Sequence, residues 1–197
     1  RLGGDHFLTK PFNPVFLNAI VKSKIERYRA LRRTLYHDSL TGLLNHSSGK
    51  HALDAMLSGV AHEGGFLSVV MLDIDHFKQV NDTYGHPVGD QVIRSLSWLL
   101  KQRLRKQDLL CRYGGEEFLI GLPHTDAEQA YAIMDRIRQD FAHIRHPYGD
   151  AHFSTSASGG IATYPLHPSG DALIKAADEA LYQAKHDGRN RIRSSDD

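Results

Sequence analysis

Cysteine is nearly missing from this sequence. Cys111 alone among 197 residues excludes an intramolecular disulfide and any cysteine-rich zinc site. Neither sign of charge prevails: 24 Lys and Arg against 23 Asp and Glu leave +1 with histidine neutral. No bulk field therefore selects DNA, RNA or an anionic membrane as a partner. No apolar run is long enough to span a bilayer and no secretory signal is present, which predicts a cytoplasmic protein. Histidine is plentiful, with 13 copies, yet no two fall at metalloprotease spacing. What remains is an ordinary soluble composition. With 41% apolar residues, the length allows one medium domain plus an appendage.

The densest chemistry lies in Arg112-Tyr113-Gly114-Gly115-Glu116-Glu117-Phe118. Its glycines separate the apolar runs 109–111 and 118–122, so the stretch reads as a β-hairpin. Glycine suits a tight turn that needs positive φ. Cys111 falls in the first strand and is expected to be a buried thiol. Glu116 and Glu117 are poor strand formers and repel one another, so a nearby cation is expected to offset the cost. The alternative is a solvated, acidic hairpin tip.

A second acidic site closes the run Phe66-Leu67-Ser68-Val69-Val70-Met71-Leu72, which ends in Asp73-Ile74-Asp75. Bounded by Gly64-Gly65, the run predicts a buried strand. Alternation then places Asp73 and Asp75 on one face and Ile74 on the other. Carboxylates at a strand end, with carboxylates at a hairpin turn, suit a hard cation such as Mg²⁺. That ion takes one or two protein carboxylates together with water and substrate phosphates.

Gly114-Gly115-Glu116-Glu117-Phe118 resembles the GGDEF/GGEEF motif of bacterial diguanylate cyclases. Further segments agree in order and spacing: Asp38-Ser39-Leu40-Thr41-Gly42-Leu43-Leu44-Asn45, Asp73-Ile74-Asp75-His76-Phe77-Lys78, Asn81-Asp82, Gly85-His86-Pro87-Val88-Gly89-Asp90 and Ala184-Lys185-His186-Asp187-Gly188-Arg189-Asn190. The resemblance covers residues 36–193. It implies an α+β fold, a ferredoxin-like, nucleotidyl cyclase-type antiparallel sheet with helices, preceded by a long N-terminal helix. It also implies an enzyme that condenses two GTP into cyclic di-GMP and pyrophosphate with Mg²⁺ or Mn²⁺. A non-catalytic cyclic di-GMP receptor is the competing class, which a degenerate motif would have favoured. One departure is His46, where the family usually has arginine, so no contact is carried over to that position.

Three segments are expected. Residues 1–12 resemble the last strand and loop of a response-regulator receiver domain, ending in Lys10-Pro11-Phe12. Residues 13–37 predict a helix opened by Asn13 and Pro14. Its Leu17, Val21, Lys24, Tyr28, Leu31 and Leu35 step by four and three, a coiled-coil spacing that would pair two protomers; the alternative is an amphipathic helix packed on its own domain. Residues 38–197 form the GGDEF domain. Within it, 38–45 is a bend, 51–61 a short helix, 75–90 loop-rich and 89–104 a helix. A capping box at Thr125-Asp126-Ala127-Glu128 starts a helix to about 144. Residues 153–163 read as a strand whose Gly159-Gly160 permits close backbone packing. A helix over 171–186 and a short strand at 191–193 complete the chain. Ser47-Ser48-Gly49-Lys50-His51 is no phosphate loop, since Leu44 and His51 stand where glycine and Ser/Thr are required.

The resemblance also distributes roles. Asp73, the Ile74 carbonyl and Glu116 would hold the metal. Glu116 would take the proton from a ribose 3′-hydroxyl, while Glu117 balances charge and metal geometry. Lys78, Lys185 and Arg189 would meet phosphates, together with amides near His76 and Phe77. Asn81 donates and accepts whereas Asp90 only accepts, a pair suited to guanine; a turn and a helix cap are the local alternatives. His86 shapes the loop. One GTP per domain cannot close the product ring, so activity requires a homodimer. Arg105 and Asp108 match the family's Arg-x-x-Asp inhibitory product site, to which Arg136 or Arg138 would add a second arginine from either protomer. The alternative at 105–108 is a local ion pair.

Overall fold

The computed structural model describes residues 13–195; the expected receiver segment at 1–12 lies outside them. The helix α1 (Pro14–Tyr36) opens as expected, with the Asn13 side-chain oxygen accepting from the Val15 amide at 2.9 Å. Val21, Tyr28 and Leu35 of the expected seam are exposed, while Leu17 and Lys24 are half-buried. No helix among the described residues is long and apolar enough to cross a membrane.

The elements that follow are α2 (His46–Glu63), β1 (Leu67–Ile74), α3 (Phe77–Tyr84), α4 (His86–Arg103), β2 (Leu109–Arg112), β3 (Glu117–Pro123), α5 (Ala127–Ala142), β4 (His146–Tyr148), β5 (Ala151–Phe153), β6 (Ala157–Tyr164), α6 (Gly170–His186) and β7 (Ile192–Ser194). Five strands form one sheet in the order β2-β3-β1-β6-β7, while β4 and β5 pair separately. Every pairing is antiparallel except that of β6 with β7. This is an α+β fold of the expected type.

Helices cover both faces of the sheet. Val70, Leu72 and Ile74 of β1 pack with Val80, Val92, Leu96, Met134 and Phe141 from α3, α4 and α5. The alternate residues Leu67, Val69 and Met71 pack with Leu53 and Leu57 of α2 and with Leu173 and Leu181 of α6. A strand covered on both sides reads as a continuous apolar run, not an alternating one. Each such side chain contributes about 1.5–3 kcal/mol on burial. Gly160 shows how tightly α6 lies: a Cβ there would collide with the backbone of Ala177 and Leu181, the close packing expected.

Several local expectations give way. Residues 75–90 form two helices, not a loop. Phe77 and Val80 bury one face of α3, and Gly85, at φ 86°, ends it where Pro87 can sit in the first turn of α4. Helix α2 starts five residues early because the Asn45 side chain accepts from the Ser48 amide at 3.1 Å. Gly49 lies inside it because a Cβ would meet the Cys111 side chain, and Cys111 is buried as expected. The strand over 153–163 breaks at 154–156, whose polar groups bond to Asp75 instead of a ladder. The capping box is Asp126 with Gln129, one residue later than read, and the Thr125 hydroxyl donates to the Pro123 carbonyl at 3.1 Å.

Candidate active site at the end of the central strand

Register brings the acidic stretches together. Asp73, the penultimate residue of β1, pairs with Glu117 on β3 and with Ser158 on β6. Glu116 precedes Glu117 at the mouth of the hairpin. The last turn of α6 supplies Lys185, whose Nζ lies 2.8 Å from Asp73 Oδ1. This cation pairs with the strand carboxylate and not with the hairpin glutamates it was expected to offset. Asp73 is only 5% exposed, and burial pushes its carboxyl from 3.8 up to about 6. Lys185 pulls the other way, while Glu116 and Glu117 add repulsion. Negative charge is thus in excess at this end of the sheet, which fits a divalent cation. Among the described residues no three His, Cys, Asp or Glu side chains form a ready metal cage. The donor set suits an ion that completes its shell with water and ligand oxygens, as Mg²⁺ does.

The hairpin departs from its expected turn. Neither Gly114 nor Gly115 has positive φ. A Cβ on Gly114 would meet the Glu117 carboxylate, so a side chain there would require that glutamate to move aside. Arg112 folds over the turn, donating from Nε and Nη2 to the Gly115 carbonyl at 3.0 and 2.7 Å. Its Nη1 reaches Asp38 Oδ2 at 2.9 Å. Asp38 Oδ1 accepts from the Thr41 amide and hydroxyl at 2.8 and 2.7 Å. Burial raises the Asp38 pKa, but the bonds from Thr41 and the Arg112 charge outweigh it and hold the carboxyl below its usual range. Sequence reasoning assigned no role to Arg112 or Asp38. The available signal was an arginine two residues before the Gly-Gly turn and an Asp-x-x-Thr bend after α1.

Beyond β1, His76 is left-handed at φ 55° and leaves the N-terminus of α3 without a side-chain cap. Lys78 is exposed in the first turn, whereas Phe77 is buried in the core. Asn81 lies within α3, not in a turn, and its amide occupies the space beside Gly89 that a Cβ would fill. Asp90 is half-buried inside α4, not at its cap, and His86 is the exposed first residue of that helix. Arg189 follows α6 in a left-handed conformation at φ 63°.

At residues 105–108, Asp108 Oδ2 accepts from the Arg105 backbone amide at 2.7 Å. The Asp108 amide returns a bond to the Arg105 carbonyl at 3.0 Å. The local contact therefore uses Arg105's main chain, and its side chain is exposed. Burial raises the Asp108 pKa, partly offset by that backbone bond and the Arg105 charge. Arg136 is exposed on α5, whereas Arg138 is engaged with Asp135 and Asn190 at 2.7 Å each.

Residues 35–191 match the sequence profile of a family described as "Diguanylate cyclase, GGDEF domain". The chain is 38% identical over 208 residues to the response regulator PleD of Caulobacter vibrioides (strain NA1000 / CB15N), covering 98% of this chain and 45% of that protein. It is 37% identical over 161 residues to diguanylate cyclase DgcP of Pseudomonas aeruginosa, covering 82% and 24%. The chain thus spans less than half the length of these curated relatives. Among solved structures, the coiled coil and GGDEF domain of DgcB from Caulobacter crescentus, in complex with c-di-GMP, superposes with a TM-score of 0.84 at 30% identity, covering 91% of this chain and 96% of that one. The active GGEEF domain of a diguanylate cyclase from Vibrio cholerae gives 0.73 at 31% identity, covering 78% and 97%.

The raised Asp73 carboxyl makes a stability prediction. Between pH 3.8 and about 6 the folded chain holds a proton there that the unfolded chain has lost. Stability therefore falls as pH rises through that window. Asp73→Asn removes the cost, so in the presence of a chelator it should stabilise the protein by about 2–3 kcal/mol at pH 8 and by less than about 1 kcal/mol near pH 4. Denaturant titration at both values checks this; an equal effect at both, or a loss of stability at pH 8, contradicts the burial argument.

Proposed function

This chain belongs to the GGDEF family of diguanylate cyclases, and from that premise we propose that it condenses two GTP into cyclic di-GMP with release of two pyrophosphates. One observation carries the reading: at the end of β1 the buried Asp73 pairs with Lys185 and feels the charges of Glu116 and Glu117, while Asn81 lies against Gly89 where α3 meets α4. The reaction needs an acceptor for the 3′-hydroxyl proton, neutralisation of phosphate charge, and a fixed guanine.

Glu116 takes the proton as each 3′-oxygen attacks the α-phosphate of the other nucleotide. Asp73, the Ile74 carbonyl and Glu116 would hold Mg²⁺ or Mn²⁺, which supplies charge neutralisation at the triphosphate. Glu117, opposite Asp73, keeps the local charge balance. Lys185 exchanges its contact with Asp73 for a phosphate, joined by Lys78 and Arg189; arginine contributes a two-pronged fork and lysine a point charge. The uncapped amides at His76 and Phe77 are further donors to phosphate oxygen. Asn81 and Asp90 read the guanine edge, with Gly89 leaving room for the Asn81 amide, and His86 shapes the entrance to α4.

Ring closure joins two nucleotides, so two domains must face each other and the active species is a homodimer. The face of α1 that exposes Val21, Tyr28 and Leu35 is the pairing element of this proposal. Cyclic di-GMP then acts as product and as inhibitor, with the exposed Arg105 guanidinium forking onto guanine or phosphate. Asp108 accepts from the guanine edge and Arg136 adds a second cation.

Incubation with GTP and Mg²⁺ should yield cyclic di-GMP at a specific activity that rises with protein concentration. Glu116→Gln should lower the rate at least ~10²-fold, the scale of losing one preorganised transition-state contact. Near-normal turnover by this variant contradicts the assignment, and binding of cyclic di-GMP without any turnover favours the receptor reading. In a separate calorimetric titration, Arg105→Ala should weaken cyclic di-GMP binding by at least about tenfold, as for one charge-assisted contact. Equal binding by both proteins removes the inhibitory site.

A further inference from the structure

Asp75 is the one acid of the strand-end pair that the proposed reaction leaves unused. It is 1% exposed, and its carboxylate is fully engaged. Oδ1 accepts from the Ser158 hydroxyl at 2.7 Å, and Oδ2 accepts from the Ser156 hydroxyl at 2.6 Å and the Asn190 amide at 3.0 Å. Its backbone is bound as well: the Asp75 amide donates to the Ser156 carbonyl at 2.9 Å, and its carbonyl accepts from the Thr155 hydroxyl at 3.0 Å. One residue thus ties the end of β1 to the break before β6 and to the turn between α6 and β7.

That turn needs holding. Gly188, Arg189 and Asn190 have φ of 109°, 63° and 48°. Glycine adopts such angles freely and asparagine tolerates them, but an arginine there is strained. Two contacts fix Asn190 from opposite ends. The Asn190 backbone amide donates to Asp75 Oδ2, while the Asn190 side-chain oxygen accepts from Arg138 Nη1 at 2.7 Å. The Arg189 amide meanwhile donates to the Ala184 carbonyl at the end of α6.

We propose that Asp75 is a positioning residue, not a metal ligand: its buried carboxylate holds the Arg189–Asn190 turn so that Arg189 is presented to the triphosphate. The functional part rests on the assignment of Arg189 to phosphate made above. The structural part does not. A carboxylate with three donors on its two oxygens has little left for a cation, and without those donors a charge so deeply buried would be costly.

Two substitutions separate positioning from metal binding. In Asp75→Asn the amide oxygen can still accept from Ser156 and the Asn190 amide, while its NH₂ faces a Ser158 hydroxyl able to rotate and accept. A metal ligand would not survive that change, because a neutral amide is a poor substitute for a carboxylate on Mg²⁺. Asp75→Ala leaves the Asn190 amide and both hydroxyls without their acceptor. Hydrogen exchange of the 187–191 backbone should therefore rise in Asp75→Ala and stay close to wild type in Asp75→Asn. In turnover assays Asp75→Ala should raise KM for GTP at least ~10-fold, with a smaller change in kcat, and Asp75→Asn should stay within about threefold, since tenfold corresponds to one lost phosphate contact.

Unchanged exchange in Asp75→Ala overturns the proposal, as does an Asp75→Asn protein with native exchange but no turnover. If Asp75→Ala does not fold, Ser156→Ala removes one donor without stranding a charge and should raise exchange in the same turn; no rise there also overturns the proposal. Should wild type make no cyclic di-GMP, the exchange experiment still reads the turn, so failure of the proposed activity is distinguishable from failure of the positioning role.

Discussion

The constraint on which this molecule depends is a buried carboxylate that lacks enough positive charge. Asp73 sits at the end of a strand covered on both faces, opposite one glutamate and next to another, with Lys185 as its cation. In a protein selected only for stability, an asparagine or an apolar residue would serve better there. The fold instead keeps Asp73 reluctant to ionise, pushed up to about 6. Under the proposed function, a divalent ion and a triphosphate arriving together would bring compensating charges of both signs.

The rest of the architecture fixes the positions around that deficit. Burial on both sides makes β1 rigid, and antiparallel pairing with β3 sets Glu117 against Asp73 without freedom to slip, since a one-residue shift would turn every side chain to the other face. Arg112 closes the hairpin by gripping the Gly115 carbonyl, and it is itself anchored by Asp38, two residues beyond the end of α1. The hairpin that carries the glutamates is therefore tied directly to the bend that follows the N-terminal helix. On the other side of β1, Asp75 ties down the turn that carries Arg189.

Much of this was legible in the sequence, and the failures share a physical cause. The apolar run of β1, the Gly-Gly hairpin and the stripe of α6 follow from periodicity and burial, which local composition reports well. Helix α3 was hidden because Asn81, Asp82 and Gly85 carry turn propensity, while its formation depends on Phe77 and Val80 finding the core, a tertiary effect. The break at 154–156 was hidden because Ser156 bonds to the carboxylate, and Thr155 to the backbone carbonyl, of Asp75, some eighty residues away in sequence. Gly114, expected as a positive-φ turn glycine, lacks that angle and lies against the Glu117 side chain instead. Long-range contacts made by short polar side chains leave no periodic trace.

The central claim is that the ionised Asp73 carboxylate is held in readiness for a metal–nucleotide complex. Calorimetric binding of Mg²⁺ with 3′-deoxy-GTP, which cannot form the 3′ linkage, tests it most directly across pH 5 to 8. Wild type and Asp73→Asn should bind alike near pH 5, where the native carboxyl is largely protonated. They should diverge as pH rises through about 6, wild type becoming at least ~10-fold tighter by pH 8 because metal ligands must be deprotonated. Equal affinities for the two proteins at every pH would contradict the account.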